Sequence, residues 1–176
     1  THRGHQPFAN SDRRFWITHN GELYNFPQLR AELEEAGHIF RTRTDTEVLL
    51  HVWEQHGVAC LPRLDGMFAF GLYDRVDNVL TLARDRFGVK TLYYAQTLFD
   101  GIRLLPPGEY LQVRPGEGPP DGPRRYHQGF PDADPALAEA PDLPERVAEV
   151  FGAAVQRQLV SDVEIGSYLS GGMDSG

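Results

Sequence analysis

Only one cysteine, Cys60, occurs in 176 residues. A single thiol excludes an internal disulfide and a cysteine-rich zinc site, and it fits a reducing compartment. Long apolar runs are missing too: nothing approaches the roughly 18 residues a membrane helix requires, and the first residues lack the apolar core of a signal peptide. Basic residues are scarce, 17 Lys/Arg against 25 Asp/Glu for a net charge of -8, and no basic cluster is longer than a pair. A face that neutralises nucleic-acid phosphates cannot be built from that supply. The expectations are therefore a cytoplasmic chain with no nucleic-acid and no membrane partner; a homo-oligomer stays open.

What is present can form a core, since 40% of residues are apolar and 11% aromatic. "RFWITH", residues 14–19, reads as the first clear strand, leading into "NGELYN". "FPQLRAELEEAG" reads as a short helix with Asn25 as cap, Pro27 in its first turn, Leu29 and Leu33 on one face and Gly37 at its end. "TDTEVLLHVWEQHG" predicts a second helix. Thr44 and Glu47 have capping-box spacing, Val48 and Val52 mark an apolar face with Leu49 and Trp53 beside it, and Gly57 is the stop. Strands beginning at Met67, Asn78 and Thr91, separated by turn residues, suggest an antiparallel sheet. Helices and strands come in runs, so the class is α+β.

Ten of the thirteen prolines lie between Pro106 and Pro144, and "VRPGEGPPDGPRRYHQGFPDADP" has no sustained periodicity, as a linker or surface excursion would. A helix then resumes with Asp142 as cap and Val147, Val150, Phe151 and Ala154 on one face, and "VEIGSYL" reads as the first strand of a new unit.

The candidate sites follow from local chemistry. In "SGGMDS" two glycines free the backbone to form a nest of N–H groups that favours an anion; Ser170 and Ser175 add hydroxyls, and Asp174 could cap a helix or help hold a divalent cation. An ordinary capped glycine turn reads the same way. Asn20-Gly21 is either a hairpin turn or an amide and a backbone N–H aimed at a developing oxyanion. Asp45, in a helix first turn, either complements the helix dipole or receives the ammonium of an amino-acid substrate. Cys60 reads as a buried small residue. The spacing of the seven histidines gives no pair on one helical face beside a carboxylate, so the metal ligands are unknown.

Taken in order, "GHQPFAN", "NGELYN", "RTRTDTEVLLH", "LDGMFAFGLYD", "LARDRFGVKTLYY", "LFDGIRLLPPGEYL" and "LVSDVEIGSYLSGGMDS" resemble the glutamine-hydrolysing asparagine synthetases, from about Gly4 to the last residue. The resemblance implies an α+β fold: a partial N-terminal-nucleophile (αββα) glutaminase domain at 1–127, a proline-rich linker at 128–143, and at 144–176 the first helix and strand of an α/β ATP-pyrophosphatase domain. It implies that ammonia from glutamine attacks β-aspartyl-AMP made from aspartate and ATP, with Mg²⁺ as companion.

Carried over by position, Asn20 and Gly21 form the oxyanion hole, and Glu22 and Asp45 bind the α-amino end of glutamine. Ser170, Gly171, Gly172, Asp174 and Ser175 form the pyrophosphate loop. The family's nucleophilic cysteine would precede "GHQP", so neither Thr1 nor Cys60 is given that role. The resemblance also leaves out a serine-glutamate segment after "LYYAQ" and the rest of the synthetase domain. The chain is therefore expected to be a fragment without either half-reaction. The alternatives are a related ATP-dependent amide-forming cyclase, of the β-lactam synthetase or lasso-peptide cyclase type, and a non-catalytic glutamine-binding remnant.

Overall fold

Phe8–Ala9 (β1) turns back through Asn10 to Phe15–Leu23 (β2), and this strand orders the sheet of the first unit. The structure is a computed structural model describing residues 5–95, 101–117, 121–159 and 166, and the chain divides into two compact units, 1–132 and 133–176. After β2 come Phe26–Glu35 (α1), Asp45–His56 (α2), a 3₁₀ turn at Gly57–Arg63, Gly66–Asp74 (β3) and Val79–Arg84 (β4). Tyr93–Tyr94 (β5), Arg103–Leu104 (β6), Glu109–Val113 (β7) and Arg124–Arg125 (β8) complete the strands. The main sheet runs β1-β2-β3-β4-β7-β8, antiparallel at every pairing, and β5 pairs with β6 in a small second sheet.

Alternation sets the two faces of the main sheet. Ile17, Leu23, Phe68, Phe70 and Leu72 are buried and pack with Leu29 and Leu33 of α1 and with α2. In α2 every residue from Thr46 to Trp53 is buried. A helix covered on all sides needs partners for its polar groups, and Thr46, Glu47 and His51 all have them.

The sequence-based expectations hold for both helices and for β3 and β4, and they fail in four instructive places. β2 runs on through Asn20 and Gly21 to Leu23, so Asn-Gly is strand and not a hairpin turn. The strand expected at Thr91 shrinks to β5, outside the main sheet; its place beside β4 is taken by β7, from the proline-rich stretch. Asn25 does not cap α1 with its side chain, because that amide bridges Arg63 O and Asp65 N at 2.9 and 3.0 Å. The capping box of α2 is half formed: Thr44 Oγ1 accepts from Glu47 N at 3.3 Å, but the Glu47 carboxylate accepts from the Arg41 and Thr42 N–H groups instead.

The second unit holds Pro135–Ala138 (α3), capped by the Asp134 side chain, and Leu143–Gln158 (α4). Asp142 occupies the N-cap position of α4 without a side-chain bond, and the apolar face at Val147, Val150 and Phe151 is exposed. The strand expected at "VEIGSYL" lies outside the described residues apart from Gly166.

Candidate functional site

Three of the expected site residues occupy the end of β2, and the pleat parts them. His19, Gly21 and Leu23 stand opposite Phe70, Phe68 and Gly66 of β3 on the face that packs against the helices; Asn20 and Glu22 stand opposite Ala69 and Met67 on the other face. Asn20 is exposed and Glu22 half-buried. Gly21 has φ +151°, and a Cβ there would lie 2.1 Å from Met67 O and 2.7 Å from Phe68 Cα. Gly66 is equally confined, 2.2 Å from Glu22 O. These two glycines let the strands approach, which keeps Asn20-Gly21 extended where the dipeptide alone favours a turn.

α2 brings Asp45 to that strand end. The Thr44 cap fixes the first turn, and Asp45 Oδ2 accepts from Leu23 N at 3.1 Å, which ties helix to strand. A carboxylate is favoured there by the partial positive charge of the helix N-terminus. Thr46 Oγ1 lies 3.5 Å from Asp45 Oδ1 and 3.1 Å from His19 Nδ1; His19 Nδ1 lies 3.9 Å from Asp45 Oδ2. Burial lowers the His19 pKa; Asp45 pushes it back up and Lys90 pushes it further down. His19 Nε2 is buried with no hydrogen-bond partner among the described residues. The backbone of His19 is held on both polar groups by one side chain: Gln6 Nε2 donates to His19 O at 2.8 Å, and His19 N donates to Gln6 Oε1 at 2.6 Å.

The structure thus brings Asp45 to Leu23, next to Glu22, and places Asn20 and Glu22 on the far face of the same strand. Sequence reasoning missed His19 and Gln6. His19 followed the period-2 pattern of β2 and could have been found as an inward-facing polar residue. Gln6 had no local signal, since its partner is thirteen residues away.

Cys60 is fully buried, and desolvation pushes its thiol up to about 12, so it is the inert small core residue that its sequence context suggests. Thr1 and the loop residues Ser170, Gly171, Gly172, Asp174 and Ser175 lie outside the described residues. A cavity of about 500 Å³ lined by Arg14, Trp53, Glu54, Asp74, Thr81 and Gln112, among others, contains none of Asn20, Gly21, Glu22 or Asp45. It sits toward the other end of α2 and is not the candidate site.

Comparison with known proteins gives two family matches: a glutamine amidotransferase domain over residues 1–98 and asparagine synthase over residues 146–176. Similar proteins include an asparagine synthetase [glutamine-hydrolyzing] from Bacillus subtilis, 32% identical over 98% of this chain and 33% of its own length. Those of Triphysaria versicolor (35% identical) and Arabidopsis thaliana (34%) each match 98% of this chain and 31% of themselves. The chain spans about a third of the length of these curated relatives. Among solved structures, glutamine phosphoribosylpyrophosphate amidotransferase from B. subtilis, complexed with ADP and GMP, matches with a TM-score of 0.59 and 25% identity over 71% of this chain and 32% of its own. The mixed architecture with antiparallel sheets is that of the N-terminal-nucleophile amidotransferases.

Proposed function

Because the chain belongs to the glutamine amidotransferase domain family, we propose that it serves glutamine-dependent asparagine synthesis, in which ammonia taken from glutamine attacks an aspartate activated by ATP as β-aspartyl-AMP. The second family match and the names of the similar proteins support this over a cyclase. In this reading residues 1–127 are glutaminase and 144–176 open the synthetase part, and the protein works in the cytoplasm. No helix among the described residues is long and apolar enough to cross a membrane.

Asp45 receives the α-ammonium of glutamine at the end of β2, where Glu22, on the opposite face and adjacent to the Leu23 that Asp45 binds, would have to reach round the strand end to join it. The Asn20 side-chain amide and the Gly21 N–H donate to the oxyanion that forms when the amide carbonyl is attacked. ATP, with Mg²⁺, is assigned to the loop at residues 170–175, where the bound nucleotide supplies a pyrophosphate leaving group.

The observation that carries the reading is the state of Asp45. Its Oδ2 is fixed by the Leu23 N–H, while among the described residues Oδ1 has only a long contact to Thr46, which leaves it acceptor capacity. Burial biases its basic neighbour His19 toward the neutral form, so His19 does not compete as a cation with an incoming ammonium.

Calorimetric titration of the full chain with glutamine tests this. Asp45→Asn keeps an acceptor for Leu23 and removes the charge; glutamine affinity should fall about tenfold or more, equivalent to about 1.4 kcal/mol. Equal affinity in the variant, or no heat with the unaltered chain, overturns the assignment.

A further inference from the structure

Three metal-competent side chains converge in the first unit away from Asp45. His38 comes from the connection between α1 and α2, and His51 and Glu54 lie one turn apart on one face of α2. One ring nitrogen of each histidine and a Glu54 carboxylate oxygen all lie within 4.8 Å of one another. His51 is buried; His38 and Glu54 are half-buried. The two histidine Nδ1 atoms are 3.3 Å apart, and His51 Nδ1 is hydrogen-bonded to Glu54 Oε2.

Proton counting shows what this arrangement favours. A carboxylate only accepts, so the proton in the His51–Glu54 contact belongs to His51 Nδ1. That nitrogen cannot then accept from His38, so His38 Nδ1 turns its lone pair toward the same proton. Three ligand atoms therefore surround one hydrogen, the position a cation can take.

We propose that this cluster is a zinc-binding site, in which Zn²⁺ replaces the shared proton and is held by His38 Nδ1, His51 Nδ1 and a Glu54 carboxylate oxygen, with water as the fourth ligand. Tetrahedral zinc with bonds of about 2.0–2.1 Å to nitrogen sets its ligand nitrogens about 3.3 Å apart. The histidine nitrogens already stand at that separation. Two imidazoles and a carboxylate suit zinc and its borderline neighbours, whereas Mg²⁺ and Ca²⁺ prefer sets of oxygen ligands.

The surroundings hold these ligands in place. Asn10, itself buried, donates from Nδ2 to Glu54 Oε1, which leaves Oε2 for the ion. The far nitrogen of His51, Nε2, lies 4.0 Å from Oε1 of fully buried Glu47, close enough for charge attraction but too far for a hydrogen bond. Phe40 meets the His51 ring edge-on at 4.9 Å and sets its plane. The spacing rule overlooked the site because His38 is on a loop and only one of the two histidines is helical. An ion here would tie the α1–α2 connection, and through Asn10 the β1–β2 turn, to the helix whose first turn carries Asp45. The proposal does not depend on the glutaminase reading.

The test uses the full, tag-free chain stripped with a chelator, then titrated with Zn²⁺ by calorimetry and in competition with a chromophoric chelator, with Co²⁺ as a spectroscopic substitute. One ion per chain should bind, Co²⁺ should give ligand-field bands of a low-coordinate nitrogen–oxygen site, and excess Mg²⁺ should not displace zinc. His38→Gln and Glu54→Gln, both at half-buried positions, should each weaken zinc at least tenfold with unchanged circular dichroism, and His56→Gln should bind as the unaltered chain does. Absence of saturable zinc binding to the unaltered chain, or binding that neither His38→Gln nor Glu54→Gln changes, overturns the proposal.

Discussion

Arg84 and Asp85, adjacent in sequence, divide the backbone of one loop between them. The Arg84 guanidinium donates to the carbonyl oxygens of Gly88, Lys90 and Leu105 at 2.6, 2.5 and 2.8 Å. The Asp85 carboxylate accepts from the N–H groups of Phe68, Phe87, Val89 and Lys90 at 2.9 to 3.3 Å. One cation gathers the acceptors and one anion gathers the donors, so the charge-rich loop that follows β4 is locked at its root.

Asp85→Ala should therefore destabilise the chain by about 3 kcal/mol or more, since hydrogen bonds to a charged group are worth about 1.5–3 kcal/mol net and some of the orphaned N–H groups stay buried. Urea unfolding followed by circular dichroism measures it. A loss below about 1 kcal/mol would mean that the loop relaxes into water and that Asp85 does not hold it.

Gly21→Ala and Gly66→Ala should each fail for steric reasons. The added carbon at Gly21 would overlap Met67 O, and at Gly66 it would overlap Glu22 O. Backbone cannot move aside as a flexible side chain can, so the β2–β3 pairing must open. The expected cost exceeds the roughly 1 kcal/mol associated with glycine entropy alone. Soluble yield and midpoint of thermal unfolding report it. Gly37→Ala makes a useful contrast, because its Cβ meets nothing within 4 Å and only its φ of +92° opposes the change.

His19 should impose a pH dependence of known sign. Burial holds its folded pKa below the unfolded value near 6.5, with Asp45 raising it and Lys90 lowering it. The unfolded chain then binds more protons than the folded one through this window. Stability is full above about pH 6.5 and falls as the pH drops toward the folded pKa. His19→Gln, which cannot titrate, should flatten that limb in urea melts between about pH 5 and pH 7, the range around the unfolded value. An unchanged slope would show that His19 is not the group responsible.

Much of this molecule could be read from local pattern. The period-3.6 apolar positions of α1 and α2, the Thr44 cap and the strands β3 and β4 need only neighbours in sequence, and the structure has them. What escaped depends on partners far along the chain. Asn25 serves residues 63 and 65 instead of its own helix, β7 replaces the strand expected at Thr91, and Asn-Gly stays extended because Met67 and Phe68 lie against Gly21. For the candidate site, the residue types of Asn20, Gly21, Glu22 and Asp45 were legible. The division of Asn20 and Glu22 from Asp45 across the sheet was not, since it rests on the register with β3.

Thr44 offers a way to separate helix stability from placement of Asp45. Its Oγ1 accepts the Glu47 N–H, and it also lies 2.9 Å from Thr42 Oγ1, within a chain of contacts that ends on the Glu47 carboxylate. Thr44→Ala removes the cap and should cost about 1 kcal/mol, whereas Thr44→Ser keeps the hydroxyl and should cost little. If the cap also fixes the first turn that presents Asp45 to Leu23, Thr44→Ala should weaken glutamine binding in calorimetry as well, and Thr44→Ser should restore it. Loss of stability with undiminished glutamine affinity would show that the Leu23–Asp45 bond alone holds the carboxylate in place, independent of the helix cap.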